Sequence, residues 1–457
     1  MKSYLELSPE QRRQEKERLL KKLEEAAALN LDLNMARGKP SPEQLDYVDR
    51  CFAAVDHSRY MSEDGVDCRN YGELFGLKSL RRIFADLLKT SFERVWCLGS
   101  SSLTIMYNLM SSCMLFPLPG AEKSWKEEGE ISFLCPVPGY DRHFNICRAL
   151  GIKMIPVPLL ADGPDMDQVE KLCAEDKSIK GIWLVPMYSN PDGTNYSGKV
   201  LRRLFSMPAA PDFRIFADMA YCAHHLEEKD GRRATLFPLL DMAREAGKED
   251  RVFEFASTSK ITYAGSGVAC LAMSERNQEW LMPSLSAQMI SADKMNMLRH
   301  VQVFQKAGGI DNMMKEHRRI LRSKFKTALD TLENDLAPYG VAEWTKPLGG
   351  YFITAKVFPG TAAAVVAQCK KLGVTLTQAG STFPYGKDPN DEFLRIAPSY
   401  PSDEELAEAL HIFSLVVRYE ALGETAAGNA RQERGEKLEG RKGRRSPRPP
   451  AKATPLL

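Results

Sequence analysis

Residues 252–260 read Val252-Phe253-Glu254-Phe255-Ala256-Ser257-Thr258-Ser259-Lys260. A short, mostly apolar run rich in Val and Phe suits a buried strand, and the hydroxyl-bearing turn that follows ends it. The same pattern recurs upstream at Arg94–Leu98, Ile131–Cys135, Lys153–Val157, Gly181–Pro186 and Arg214–Ala217, and downstream at Val268–Met273. Most of these runs lead through a turn into a stretch with helical periodicity. That alternation marks βαβ units and predicts an α/β fold, a seven-stranded, mostly parallel sheet covered by helices. The expected large domain spans 66–295.

Five of the predicted strands end in residues with chemical potential. Gly99-Ser100-Ser101-Ser102 precedes a helical run, and amides at a helix start with small hydroxyls suit an anion, although taken alone a plain helix cap is the simpler explanation. Pro136-Val137-Pro138-Gly139-Tyr140-Asp141-Arg142-His143 offers an aromatic face for a flat ring, or merely a Pro-rich loop with a core tyrosine. Asn190-Pro191-Asp192-Gly193 is by itself a turn. Asp218, followed by Met219-Ala220-Tyr221, is either an acid at a ligand-binding strand end or an N-cap. Lys260 is either a surface lysine or an amine desolvated enough to act as a nucleophile. No motif decides alone. Together they converge on the carboxyl edge of one sheet, where such sheets bind ligands. An anion loop, a stacking ring, an amide, a carboxylate with a nearby phenol and a lysine fit a planar, phosphorylated pyridine aldehyde held as an imine.

The flanking segments read differently. Ser8-Pro9-Glu10-Gln11 is an N-terminal cap signal for a charged helix over residues 8–29. Asn312 to Tyr339 is a long helical segment, followed by strand-like Gly350–Ala355, a helix at Ala362–Leu372, short strands near Val374–Thr377 and Phe393–Ala397, and a helix at Asp403–Glu420. This α+β block predicts a smaller domain over 296–422, joined by residues 1–65. From 423 to 457 the composition turns to Gly, Pro, Arg, Glu and Lys, and a disordered basic tail is expected.

Of 457 residues, 44% are hydrophobic and 27% charged, which excludes a disordered chain. The formal charge of +2 argues against a dedicated nucleic-acid binder, so no nucleic-acid partner is expected. Nine basic and four acidic residues from Glu424 onward put +5 on the tail, leaving the rest at −3. The N-terminal stretch has no apolar core of signal-peptide type, and no apolar run is long enough to span a membrane. Ten scattered cysteines form no CxxC pair and read as reduced, buried thiols. A cytoplasmic protein with no membrane partner and no metal site is expected.

With the motif set in hand, the chain resembles the fold-type I pyridoxal-phosphate (PLP) aminotransferases. It is most similar to the aspartate aminotransferase-like subgroup, whose signature stands here as Arg37-Gly38-Lys39-Pro40-Ser41-Pro42-Glu43-Gln44-Leu45-Asp46. The resemblance covers roughly 30–420. It implies that Lys260 carries the cofactor as an imine and moves the substrate proton, and that Asp218 pairs with the pyridinium nitrogen, supported by His143. It further implies that Asn190 and Tyr221 bond the ring 3′ oxygen and that Tyr140 stacks on the ring. Ser100, Ser101 and Ser257, with Ser102 beside them, would hold the phosphate. Tyr71 would reach the phosphate of a neighbouring subunit, so a homodimer with shared sites is implied. Arg395, in Phe393-Leu394-Arg395-Ile396-Ala397-Pro398-Ser399, would clamp the substrate α-carboxylate. One departure stands out: many relatives have an arginine about eight residues after the lysine, and Ile261–Val268 contains none. Lys294 or further backbone donors are the candidates to replace it.

The reaction implied is transamination between an amino acid, aspartate foremost, and a 2-oxo acid, 2-oxoglutarate foremost. Other aminotransferase specificities, a PLP lyase, or a ligand-binding regulatory protein of the same fold are the alternatives. A dicarboxylate needs a second cation. Arg142 leads, being two residues from Tyr140; Arg37 with Gly38 and Lys39, on a segment expected to fold over the site, come next, and Arg299 last.

Overall fold

The computed structural model describes residues 3–227 and 233–442, with backbone alone over 424–442. Its largest sheet has eight strands in the order Val95–Gly99, Ala269–Ala272, Val252–Ser257, Arg214–Asp218, Ile179–Leu184, Ser132–Val137, Lys153–Leu160, Gly163–Pro164. All seven predicted strands are present. The eighth, two residues long, folds back antiparallel on the edge, where a Gly-Pro pair is tolerated because one side needs no ladder partner. Ala269–Ala272 is antiparallel to both neighbours, and the five strands between Val252–Ser257 and Lys153–Leu160 are parallel throughout.

Side chains alternate across this sheet with the period of two that a strand imposes. Phe133, Trp183, Phe216, Phe253 and Phe255 pack on one face, beneath helices Ser102–Leu115 and Glu275–Gln288. Leu134, Ile182, Leu184, Ile215, Ala217 and Ala256 face the other. Glycine is required at 181, where a Cβ would lie 2.3 Å from the Phe133 ring and 2.5 Å from the Arg214 carbonyl.

The C-terminal half forms a three-stranded antiparallel sheet, Ala342–Trp344, Ile353–Val357 and Phe393–Ile396. Leu33–Asn34 pairs in parallel with Val374–Thr375, so the N-terminal segment is stitched to this region. Helix Pro9–Ala28 starts at the expected Ser8 cap, with both capping-box bonds formed. The signature segment holds a second box of the same type: Ser41-Pro42-Glu43-Gln44 opens helix Pro42–Ala53. Its spelling repeats Ser8-Pro9-Glu10-Gln11, a signal the sequence reading passed over.

The last helix corrects one expectation. It runs Asp403–Lys442 rather than ending near Glu420, so 423–442 are helical, not disordered. The stretch is poor in apolar residues but rich in Ala, Glu, Arg and Lys, which lose little side-chain freedom in a helix. The rest of the expected tail, 443–457, lies outside the described residues.

Candidate active site

The strands ending at Gly99, Val137, Leu184, Asp218 and Ser257 run in one direction, so their following residues share one edge. Gly99 and Ser257 both register with Ala269, one on each side. Two strand spacings, about 10 Å, therefore separate the Ser100–Ser102 turn from Ser257.

Side-chain contacts, with one step along the backbone, join the motifs. The Lys260 ammonium sits 5.0 Å from the centre of the Tyr221 ring. Asn190 Nδ2 donates to the Tyr221 hydroxyl at 3.3 Å. Arg395 Nη1 donates to Asn190 Oδ1 at 3.4 Å and lies 3.6 Å from Asp141 Oδ1. Asp141 follows Tyr140, whose ring meets His143 edge-on with centroids 5.0 Å apart. His143 Nε2 is 3.1 Å from Asp218 Oδ2. Asp218 Oδ1 accepts the Ala220 amide at 3.1 Å, so both carboxylate oxygens are oriented. Trp183, which sequence reasoning did not single out, stacks on His143 at 4.4 Å and 7°. Burial raises the Tyr221 phenol above its ordinary range and pushes Tyr140 up to about 12, although the Lys260 charge opposes the latter.

Arg395 is buried and held from several sides. Its Nη2 donates to Thr377 Oγ1 at 3.2 Å and to the Ala36 carbonyl at 3.4 Å, and its guanidinium lies 4.7 Å from the Phe352 ring centre. Its buried Nε has no hydrogen-bond partner among the described residues. Of the hydroxyls, Ser257 bonds Ser259 at 3.2 Å, and Ser101 caps helix Ser102–Leu115 through the Thr104 amide at 3.5 Å. Ser259 is an addition to the expected set.

Other candidates lie apart from this path. Lys294, the candidate for the missing phosphate cation, donates from its buried ammonium to the carbonyls of Asn70 (2.6 Å) and Gly72 (2.9 Å). It holds the loop that presents Tyr71, which is 77% exposed. Arg37, Arg142 and Arg299 are exposed, and Arg142 Nε comes to 3.9 Å of Asp141. Lys39 lies over the Tyr400 ring at 3.8 Å. Gly38 packs so tightly that a Cβ would meet the Phe352 ring at 2.4 Å.

Three buried histidines brace the lysine turn. His224 Nε2 lies 3.2 Å from the Lys260 carbonyl, His317 Nε2 2.9 Å from the Ile261 carbonyl, and His300 Nε2 2.9 Å from Thr262 Oγ1. Burial drives their pKa values down, to about 3 for His224 and about 4 for His300 and His317, so all three are neutral near pH 7. Linkage gives the sign of the consequence. Below the unfolded value of 6.5 the unfolded chain takes a proton at His300 that the folded chain refuses down to about 4. His300's contribution is thus fully present above that value and is lost as pH falls. His300→Asn, which keeps a donor for the Asn296 carbonyl, should close its stability gap to the parent by up to ~1.4 kcal/mol per pH unit in this window. Urea midpoints at pH 7 and pH 5 check this; an unchanged gap refutes it.

A sequence profile described as aspartate amino-transferase matches residues 7–429. The chain belongs to the aspartate aminotransferase family. The aspartate aminotransferase of Corynebacterium glutamicum is 42% identical over 395 residues, covering 86% of this chain and 90% of that protein. A crystal structure of an aspartate transaminase from the same organism superposes with a TM-score of 0.89 at 40% identity, covering 93% and 99% of the two chains. The α-aminoadipate aminotransferase LysN of Thermus thermophilus, solved with N-(5'-phosphopyridoxyl)-L-leucine, shares the fold at a TM-score of 0.68 and 21% identity, over 90% and 95%. The protein is therefore an aminotransferase on a fold-type I scaffold. Among the described residues no cluster suits a metal ion, and no helix is long and apolar enough to cross a membrane.

Proposed function

We propose that this edge binds PLP on Lys260 and that the enzyme moves an amino group from aspartate to 2-oxoglutarate. The contacts running from Lys260 through Tyr221, Asn190 and Arg395 to Asp141, and from its neighbour Tyr140 to the His143–Asp218 pair, carry the reading. The donor set fits the cofactor: an amine, a buried carboxylate, a phenol with an amide, an aromatic face, and hydroxyls at a helix start. When bound, PLP supplies an aldehyde for amines and a ring that takes up the electron pair left at the substrate Cα.

The protein's share follows from its geometry. Lys260 carries the proton to and from the substrate Cα. Asp218, fixed by His143 and the Ala220 amide, keeps a negative charge opposite the ring nitrogen. Tyr221 and Asn190 address the ring oxygen, and Tyr140 covers one ring face. Ser100, Ser101, Ser102, Ser257 and Ser259, with the free amides of helix Ser102–Leu115, meet the phosphate where relatives use an arginine. Arg395 takes the α-carboxylate; Asp141, at 3.6 Å, is a carboxylate already beside it and sets the competition an incoming substrate must win.

On the same reading, residues 66–295 form the cofactor unit and 296–422, joined by 1–65, the smaller one. The enzyme acts as a homodimer. Support comes from exposed Tyr71, pinned by Lys294, and from exposed Tyr107, Leu115, Phe116 and Ile290, an apolar set suited to a second copy. Sedimentation of the purified enzyme as a monomer would remove this part.

The test is a half-reaction. Aspartate should convert the cofactor's absorbance in one turnover, and 2-oxoglutarate should restore it; no response to aspartate overturns the substrate assignment. Arg142 is the nearest exposed cation to Asp141 and is assigned to the side-chain carboxylate. Arg142→Ala should raise KM for aspartate about tenfold or more and leave alanine nearly unchanged. Equal effects on the two substrates would take Arg142 out of the role.

A further inference from the structure

The peptide carbonyl of Lys260 lies in a turn beyond the strand, where no ladder partner can take it, and a buried carbonyl needs donors. It has two: His224 Nε2 at 3.2 Å and the Tyr351 hydroxyl at 3.5 Å. Tyr351 is buried, and its oxygen accepts from Gln44 Nε2 at 3.1 Å. That acceptance turns the single hydroxyl proton toward Lys260.

Gln44 has no freedom left. Its Oε1 accepts the Ser41 amide at 3.1 Å, which decides which end of the side-chain amide is nitrogen. Its second N–H meets His317 Nδ1 at 2.9 Å. His317, neutral and accepting there, donates from Nε2 to the Ile261 carbonyl at 2.9 Å. Two consecutive carbonyls of the lysine turn are thus held by donors that one amide orients. That amide sits on the segment whose Ala36 carbonyl accepts from Arg395.

We propose that Gln44, acting through Tyr351, is a positioning residue for Lys260, and that it ties the placing of the amine to the seating of segment 36–44 on Arg395. The inference rests on the PLP reading above and adds to it a residue outside the cofactor's reach. A lysine side chain has four rotatable bonds, so its amine is aimed only as well as its backbone is fixed.

Two full-length variants test this. Tyr351→Phe deletes the hydroxyl and keeps the ring. Gln44→Glu keeps the acceptor for Ser41, but a carboxylate there accepts the Tyr351 proton and turns it away from Lys260. In each, PLP-free enzyme should take up added PLP, followed by the absorbance acquired on Lys260, about tenfold more slowly than the parent. kcat should fall by a similar factor with KM for aspartate little changed; the thermal midpoint should drop in both variants, since each leaves a buried polar group mismatched, with the protein still folded at the assay temperature. Parent-like uptake and kcat in a folded variant overturn the inference, as does a change confined to KM. Failure of the unmodified enzyme to take up PLP on Lys260 overturns the cofactor assignment, and this inference with it.

Discussion

Lys260→Ala should lower turnover of aspartate by about ten-thousand-fold or more, because on the proposed reading it removes both the proton carrier and the covalent anchor. The protein should stay folded. The side chain is only partly buried and, among the described residues, makes no hydrogen bond through its amine; its carbonyl bonds to His224 and Tyr351 belong to the backbone and survive. Lys260→Arg is the sharper comparison. A guanidinium keeps the charge and the stem but stays protonated at any working pH, so it can neither attack an aldehyde nor accept a proton from carbon. It should be as inactive as the alanine variant. Steady-state rates with the PLP spectrum recorded alongside decide the matter: a Lys260→Arg enzyme retaining a tenth of the parent rate would mean that another group moves the proton.

Asp218→Asn should cost about 1,000-fold in kcat, the scale expected when a buried charge loses its partner. The substitution keeps shape and size, and an amide oxygen can still accept the Ala220 amide, so packing is a minor term. What goes is the negative charge that His143 orients at 3.1 Å and that Trp183 helps to seal from water. On the proposed reading, nothing would then favour a proton on the ring nitrogen of bound PLP, and the ring would accept electrons less readily. PLP should still bind, since Lys260 and the hydroxyl-lined turns are intact. A variant with normal PLP content and a kcat within tenfold of the parent would place the charge elsewhere.

Much of this site was legible because a parallel sheet makes local order into spatial order. Val252–Ser257, Arg214–Asp218, Ile179–Leu184 and Ser132–Val137 were each visible as apolar runs. The residue types beyond their ends then had to share an edge. Asp218, Tyr221, Asn190, His143 and Lys260 therefore meet without any long-range information being needed. The tail was misread between 423 and 442 because low apolar content describes a solvated helix as well as a disordered chain.

Local pattern was enough for the sheet, for the edge that gathers the strand-end residues and for the family, because strand period and strand-end chemistry are properties of a few neighbouring residues. Tertiary structure alone decided who holds the lysine. Gln44 reaches His317 across 273 residues of chain and Tyr351 across 307, and Lys294 reaches the Asn70 carbonyl across 224. Each of these polar groups is buried and must find a partner, yet nothing in its own segment says which. Local pattern sets where a side chain emerges. The demand that every buried donor and acceptor be matched is settled only when distant segments close on one another.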